Sequence, residues 1–120
     1  MSKRPLGAYS LLPRWRVLRS RDVLLGPGKA DLLEAIRRTG SLRLAARSLG
    51  MSYMRAWKLV QTMNGAYREP LVSTARGGSA HGSAALTRTG QAVILLYREM
   101  ERKSLSAASP YWRRLRNFLA

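Results

Sequence analysis

The chain has no cysteine, a single histidine and only six carboxylates in 120 residues. Without cysteine there is no disulfide framework, no thiolate nucleophile and no Cys-based zinc or iron–sulfur site. One histidine, His81, with so few carboxylates leaves little material for general acid–base or metal chemistry. An enzyme is therefore the weakest class of reading, and no cofactor or metal is expected. Long apolar runs are missing too. The longest, Ala92–Tyr97, falls far short of the ~20 residues a membrane-spanning helix needs. The first residues are basic but carry neither a long apolar stretch nor a convincing cleavage site. A soluble, cytoplasmic chain with no membrane partner is expected.

Two features are plentiful: apolar residues, at 46%, and positive charge, at +16. The first supplies a core for one domain of ordinary size. The second sets 22 Lys and Arg against six Asp and Glu. Such an excess strains a compact fold by self-repulsion, and points to a polyanionic partner: duplex DNA, RNA or an anionic membrane surface. Only Lys3, Lys29, Lys58 and Lys103 are lysines. The remaining cations are arginines, whose planar fork suits phosphates and guanine edges.

Punctuation along the chain predicts a mainly α fold with small β-hairpins. Residues 1–14 read as a flexible basic arm. Trp15–Arg19 and Val23–Leu25 read as a hairpin. Gly26-Pro-Gly28 opens a first helix with Asp31 and Glu34 early, Arg37 and Arg38 late, and Gly40 as its stop. Its Gly-Pro-Gly-Lys is not a phosphate loop, because the first glycine is out of place and Ala30 stands where Ser or Thr must hold magnesium. Ser41 caps a second helix, Leu42–Leu49, with Leu44, Ala45 and Leu49 on one side. Gly50 breaks it, and Ser52 caps a third helix reaching about Tyr67. Leu71–Thr74 and Ala84–Leu86 read as strands around the loop Arg76–Ser83. Thr87 caps a final helix to Ala108, which Pro110 ends, leaving a basic aromatic tail over 109–120. A helix pair joined by a tight glycine turn, then a two-stranded ribbon, is the layout of a winged helix-turn-helix, here over 15–108.

The stretch Gly40–Asn64 carries the function. Ala45 and Ala46 are small enough for two helices to approach closely, and Gly50 permits the sharp turn between them. Ala56, Val60 and Met63 recur at helical spacing and give the third helix a buried side. Its other side presents Tyr53, Met54, Arg55 and Lys58, a composition suited to the major groove of double-stranded DNA. From Ala35 to Arg68 there are seven basic residues and no acidic one. Arg55, Lys58, Tyr53 and Met54 are the expected groove contacts. Arg43, Arg47, Ser52, Arg76 and His81 are the expected backbone contacts, the last two from the wing. For Trp57, packing is favoured over DNA contact.

These residues carry a family resemblance. Leu25-Gly-Pro-Gly-Lys-Ala-Asp-Leu-Leu-Glu-Ala-Ile36, Thr39-Gly-Ser41, Ala45-Ala46, Gly50-Met-Ser-Tyr53, Ala56-Trp57, Met63-Asn64, Glu69-Pro-Leu-Val72, Gly77-Gly78 and Leu86-Thr-Arg-Thr-Gly90 span about residues 15–102 in a specific order and spacing. Together they resemble the N-terminal DNA-binding domain of ModE-type molybdate-responsive regulators, a winged helix related to the LysR type. The resemblance implies a dimeric transcription regulator whose third helix reads DNA. Full-length members carry a molybdate-binding region after the long helix, near where this sequence stops, so no molybdate binding is expected of these residues.

The last helix carries a separate signal. Val93, Ile94, Leu95, Leu96 and Tyr97 are consecutive, and five residues exceed one helical turn. Assigning Val93, Leu96 and Met100 to the domain's own core leaves Ile94, Leu95 and Leu105 for a second copy across a dimer seam. The alternative function is a protein-interaction module that retains the winged-helix fold without specific DNA binding.

Overall fold

The computed structural model describes residues 9–75 and 82–120. Strands β1 (Val17–Arg19) and β2 (Asp22–Leu25) form an antiparallel hairpin turning at Ser20, whose φ is +55°. Helices α1 (Pro27–Thr39), α2 (Leu42–Ser48) and α3 (Tyr53–Ala66) follow. A second antiparallel hairpin, β3 (Val72–Thr74) with β4 (Ala84–Leu86), pairs Val72 with Leu86 and Thr74 with Ala84. Helix α4 (Arg88–Leu115) is the longest, and a 3-10 turn at Arg116–Phe118 follows it. The fold is a mainly α winged helix-turn-helix with a long C-terminal helix.

The helix starts are set by residues that supply what the backbone lacks. Ser41, Ser52 and Thr87 each accept a first-turn N–H, from Leu44 at 3.1 Å, Arg55 at 3.1 Å and Gly90 at 2.9 Å. Gly40 stops α1 at φ +69°, returning its N–H to the Ile36 carbonyl at 2.8 Å. Gly50, at φ +67°, turns the chain between α2 and α3.

The core lies where α1, α3, α4 and the second hairpin meet. Leu32, Leu33 and Ile36 of α1 pack with Val60 and Met63 of α3, Leu71, and Ile94 and Tyr97 of α4. On α2 the buried set is Leu42, Ala45 and Ala46, with Leu49 partly buried, so Leu44 faces solvent instead of the core. The period is the expected one, but Leu42 rather than Leu44 begins the stripe.

Helix α4 differs from expectation in two ways. Its buried residues are Gly90, Ile94 and Tyr97, whereas Leu96 and Met100 are 66% and 46% exposed. Ile94 therefore belongs to this domain's own core and not to a seam between copies. The cause is Gly90. Only a residue without a side chain can lie against the Leu71 carbonyl, and that contact fixes the rotation of the helix. The second difference is length. Pro110 lies inside α4, which continues to Leu115. Proline costs the helix one hydrogen bond, yet it does not end it here.

The N-terminal segment is laid along α4 over residues 11–15. The Trp15 indole donates to Ser104 Oγ at 2.9 Å, and the Tyr97 hydroxyl donates to the Trp15 carbonyl at 2.7 Å. Burial pushes the Tyr97 phenol above its ordinary pKa. Leu105 lines the groove beneath this segment, with Leu11, Leu12 and Ala108. It sits eleven residues after Ile94, on the same face of the helix. Leu105 is thus covered in part by its own chain and remains 39% exposed.

Candidate nucleic-acid interface

Helix α3 is held from one side and open on the other. Ala56, Val60 and Met63 are fully buried, while Tyr53 and Met54 are 45% and 57% exposed. Arg55 and Lys58 are exposed as well. All four expected groove residues therefore lie on the solvent side of α3. Arg43 and Arg47 are exposed on α2, and the exposed Ser52 is committed to its cap. Arg76 and His81 lie outside the described residues.

The turn between the helices is tightly wired. The N–H groups of Leu49 and Met51 both reach the Ala46 carbonyl, at 3.1 and 3.0 Å, and Gly50 donates to Arg47 at 3.1 Å. The wing is fixed to the same unit. Ala84 donates to the Gly40 carbonyl at 3.0 Å, and Ser41 bridges Ser83.

Asn64 supplies a link that sequence reasoning missed. Its side-chain oxygen accepts from the backbone of Leu71 at 2.9 Å and Val72 at 3.1 Å, and its amide donates to the Val72 carbonyl at 2.9 Å. One side chain on α3 thereby sets where β3 begins. The signal available in the sequence was a polar residue next to Met63 on the buried side of the helix.

Trp57 is neither buried nor free. At 37% exposure, its ring lines a recess of about 280 Å³ between α3 and the wing, together with Leu42, Tyr53 and Thr74.

Charge is sorted across the fold. Arg98 of α4 pairs with Asp31 and Glu101 at 3.0 Å and Glu34 at 3.3 Å, and Arg37 pairs with Glu34 at 2.6 Å. Arg102 pairs with Glu99 at 2.5 Å. Partial burial works against the Arg98 cation, but its hydrogen bonds to Asp31, Glu101 and Glu34 outweigh that and hold its pKa above the usual arginine value. Four of the six carboxylates are thus consumed on α1 and α4. Among the described residues, Arg43, Arg47, Arg55 and Lys58 have no ion-pair partner, and no carboxylate lies on α2 or α3. The positive field is left on the helix-turn-helix face.

The hydrogen bond from Arg37 holds the Glu34 carboxyl below its ordinary 4.5. A lowered folded-state pKa stabilises the fold above the ordinary carboxylate range, and that contribution is lost as pH falls through the lowered value. Thermal melts from pH 6 to 3 are therefore expected to fall less steeply for Glu34→Gln than for the wild type. Parallel curves would remove Glu34 from the acid response.

No profile of a known protein family matches the chain. Individual proteins do. Over 85 residues the sequence is 44% identical to the molybdenum-pterin-binding protein MopB of Rhodobacter capsulatus, covering 71% of this chain and 32% of that protein. Over 92 residues it is 39% identical to the molybdenum transport protein ModE of Azotobacter vinelandii, covering 73% and 34%. The DNA-binding transcriptional dual regulator ModE of Escherichia coli is 41% identical over 71 residues, or 59% and 27%. The chain spans about a third of the length of these curated relatives. Among solved structures, the CbnR DNA-binding domain in its DNA complex superposes with a TM-score of 0.52 at 21% identity, over 75% of this chain and 93% of that one. That likeness is one of fold.

Proposed function

We propose that this chain, a ModE-like winged helix-turn-helix domain, is a sequence-specific regulator of transcription that binds double-stranded DNA as a homodimer. The observation that carries the reading is the set of four exposed cations on α2 and α3 with no ion-pair partner among the described residues, beside a fold that pairs four of its six carboxylates on α1 and α4. Arg55, Lys58, Tyr53 and Met54 face the bases, because they lie on the open side of the helix that a major groove admits. Arg43 and Arg47 hold phosphates, joined by the Ser52 hydroxyl, whose proton is still free to donate while its oxygen caps α3; the expected wing contacts Arg76 and His81 lie outside the described residues. The names of the ModE relatives and the DNA complex of the fold neighbour support the same partner. The homodimer is seated on the exposed apolar face of α4, with Leu96 and Met100 in place of Ile94.

Affinity for duplex DNA is expected to fall steeply with salt, about 10³-fold or more between 50 and 200 mM where six or more phosphates are neutralised. Arg55→Ala and Lys58→Ala should each lose about 1–3 kcal/mol and relax sequence preference. Anisotropy titrations with specific and scrambled duplexes measure both effects. Equal weakening on every duplex would reassign the two residues to phosphates. An affinity that ignores salt and sequence alike would favour the protein-interaction alternative.

A further inference from the structure

A second basic site lies at the far end of α3, away from its capped N-terminus. The β1–β2 hairpin is docked there: the Tyr67 hydroxyl donates to the Leu24 carbonyl at 3.1 Å, and burial raises the Tyr67 pKa. Between hairpin and helix runs an open cleft of about 510 Å³, lined by Arg19, Arg21 and Lys29 with Asp22, Thr62 and Gly65. Three cations face one carboxylate. Lys29 is turned toward the hairpin, donating to the Val23 carbonyl. Arg19 and Arg21 are exposed and have no ion-pair partner among the described residues.

Two observations connect this cleft to the open face of α3. The first is helical spacing. Met54, Lys58, Gln61 and Gly65 follow one another at i, i+4, i+7 and i+11, opposite the buried Ala56, Val60 and Met63. The face that begins with Met54 and Lys58 therefore ends in the cleft. The second is Gly65 itself. Glycine weakens a helix relative to alanine. Among the described residues nothing asks for it, because a Cβ built there meets no heavy atom within 4 Å. A bare backbone on an exposed basic face suits the close approach of a group from outside the molecule.

We propose that Arg19 and Arg21 form a second phosphate clamp, which grips the sugar–phosphate backbone of the same duplex that α3 enters and is approached closely at Gly65. This rests on the DNA-binding reading above. Charge complementarity and continuity with the α3 face single out the duplex backbone. The clamp adds affinity and fixes the angle of α3, and it reads no bases.

The test uses the full chain in anisotropy titrations over a salt series, with Arg19→Ser/Arg21→Ser, Gly65→Ala and wild type side by side. The double variant is expected to bind at least ~10-fold more weakly at moderate salt, with the slope of log K against log salt reduced by about 1–2. Its ratio of specific to scrambled affinity should stay at the wild-type value. Gly65→Ala should also bind more weakly while melting at or above the wild-type temperature, a combination that loss of fold cannot produce. Should the double variant melt early, Arg21→Gln at the hairpin turn replaces it, with a slope reduced by about 1. A wild type that binds duplex DNA with variants of unchanged affinity and slope overturns the clamp alone. A wild type without duplex affinity overturns the DNA-binding reading and the clamp with it.

Discussion

Gly90→Ala should be among the most damaging single substitutions in this protein, at about 3 kcal/mol or more of stability. A Cβ at this position falls 2.0 Å from the Leu71 carbonyl oxygen and 2.9 Å from its carbon. Both are backbone atoms, so no side chain can rotate aside. Leu71 cannot retreat cheaply either. Its N–H is held by Asn64 at 2.9 Å, and its carbonyl accepts the Thr87 N–H at 2.9 Å. Helix α4 must then move away from the wing, which opens the packing around Ile94 and Tyr97. A typical domain has only ~5–15 kcal/mol in hand. The expected result is a melting temperature lowered by ~10 °C or more, or failure to fold. Gly65→Ala supplies the contrast. That glycine is also helical, and its Cβ meets nothing, so alanine there should hold or raise the melting temperature. Equal melting temperatures for the two variants would show that the α4–wing contact is looser than these distances require.

The same contact marks the limit of what the sequence discloses. Caps and stops are local: Ser41, Ser52, Thr87, Gly40 and Gly50 act on backbone groups within a few residues, and each stands where it was expected. The two faces of α3 were legible for a similar reason, since Ala56, Val60 and Met63 keep one period over two turns. Helix α4 is different. Its run Val93–Tyr97 is apolar all round, so periodicity cannot choose which stripe is buried. The choice is made by Gly90 against Leu71, a contact between segments nineteen residues apart. Asn64 was hidden likewise, because its partners are backbone groups of a strand it helps to place. The cleft at Arg19 and Arg21 depends on how the hairpin docks on α3, which no local pattern records. Pro110 misled in the opposite direction. Its local rule says stop, yet α4 continues to Leu115.

Correcting the α4 stripe changes which substitutions separate dimerisation from folding. Ile94 is fully buried, so Ile94→Lys should simply unfold the domain. Leu96→Lys/Met100→Lys should leave it folded, because these side chains are 66% and 46% exposed. Leu96, Met100, Ala107 and Tyr111 stand at i, i+4, i+11 and i+15 along one side of α4 for ~22 Å, with the exposed Lys103 between them at i+7. Leu95, 61% exposed, flanks them. The exposed apolar cluster Leu95, Leu96 and Met100, with Tyr111 further along the helix, stands out on a chain of net charge +16, and a two-fold pairing of α4 is the simplest arrangement that covers it. Apolar burial must then overcome repulsion between two strongly basic copies. Salt screens that repulsion, so the dimer is expected to tighten as salt rises while DNA binding weakens. Lysine is chosen for the test because it adds positive charge. By electrostatics alone, two more cations per copy would strengthen attraction to DNA. The variant is nevertheless expected to lose about 10²-fold or more in affinity for a duplex carrying two half-sites, because the second half-site no longer benefits from being tethered to the first. On a single half-site it should bind as well as the wild type or better. Sedimentation of the same samples should show wild-type dimers and variant monomers at micromolar concentration. A wild type that sediments as a monomer with and without DNA would remove the seam from α4.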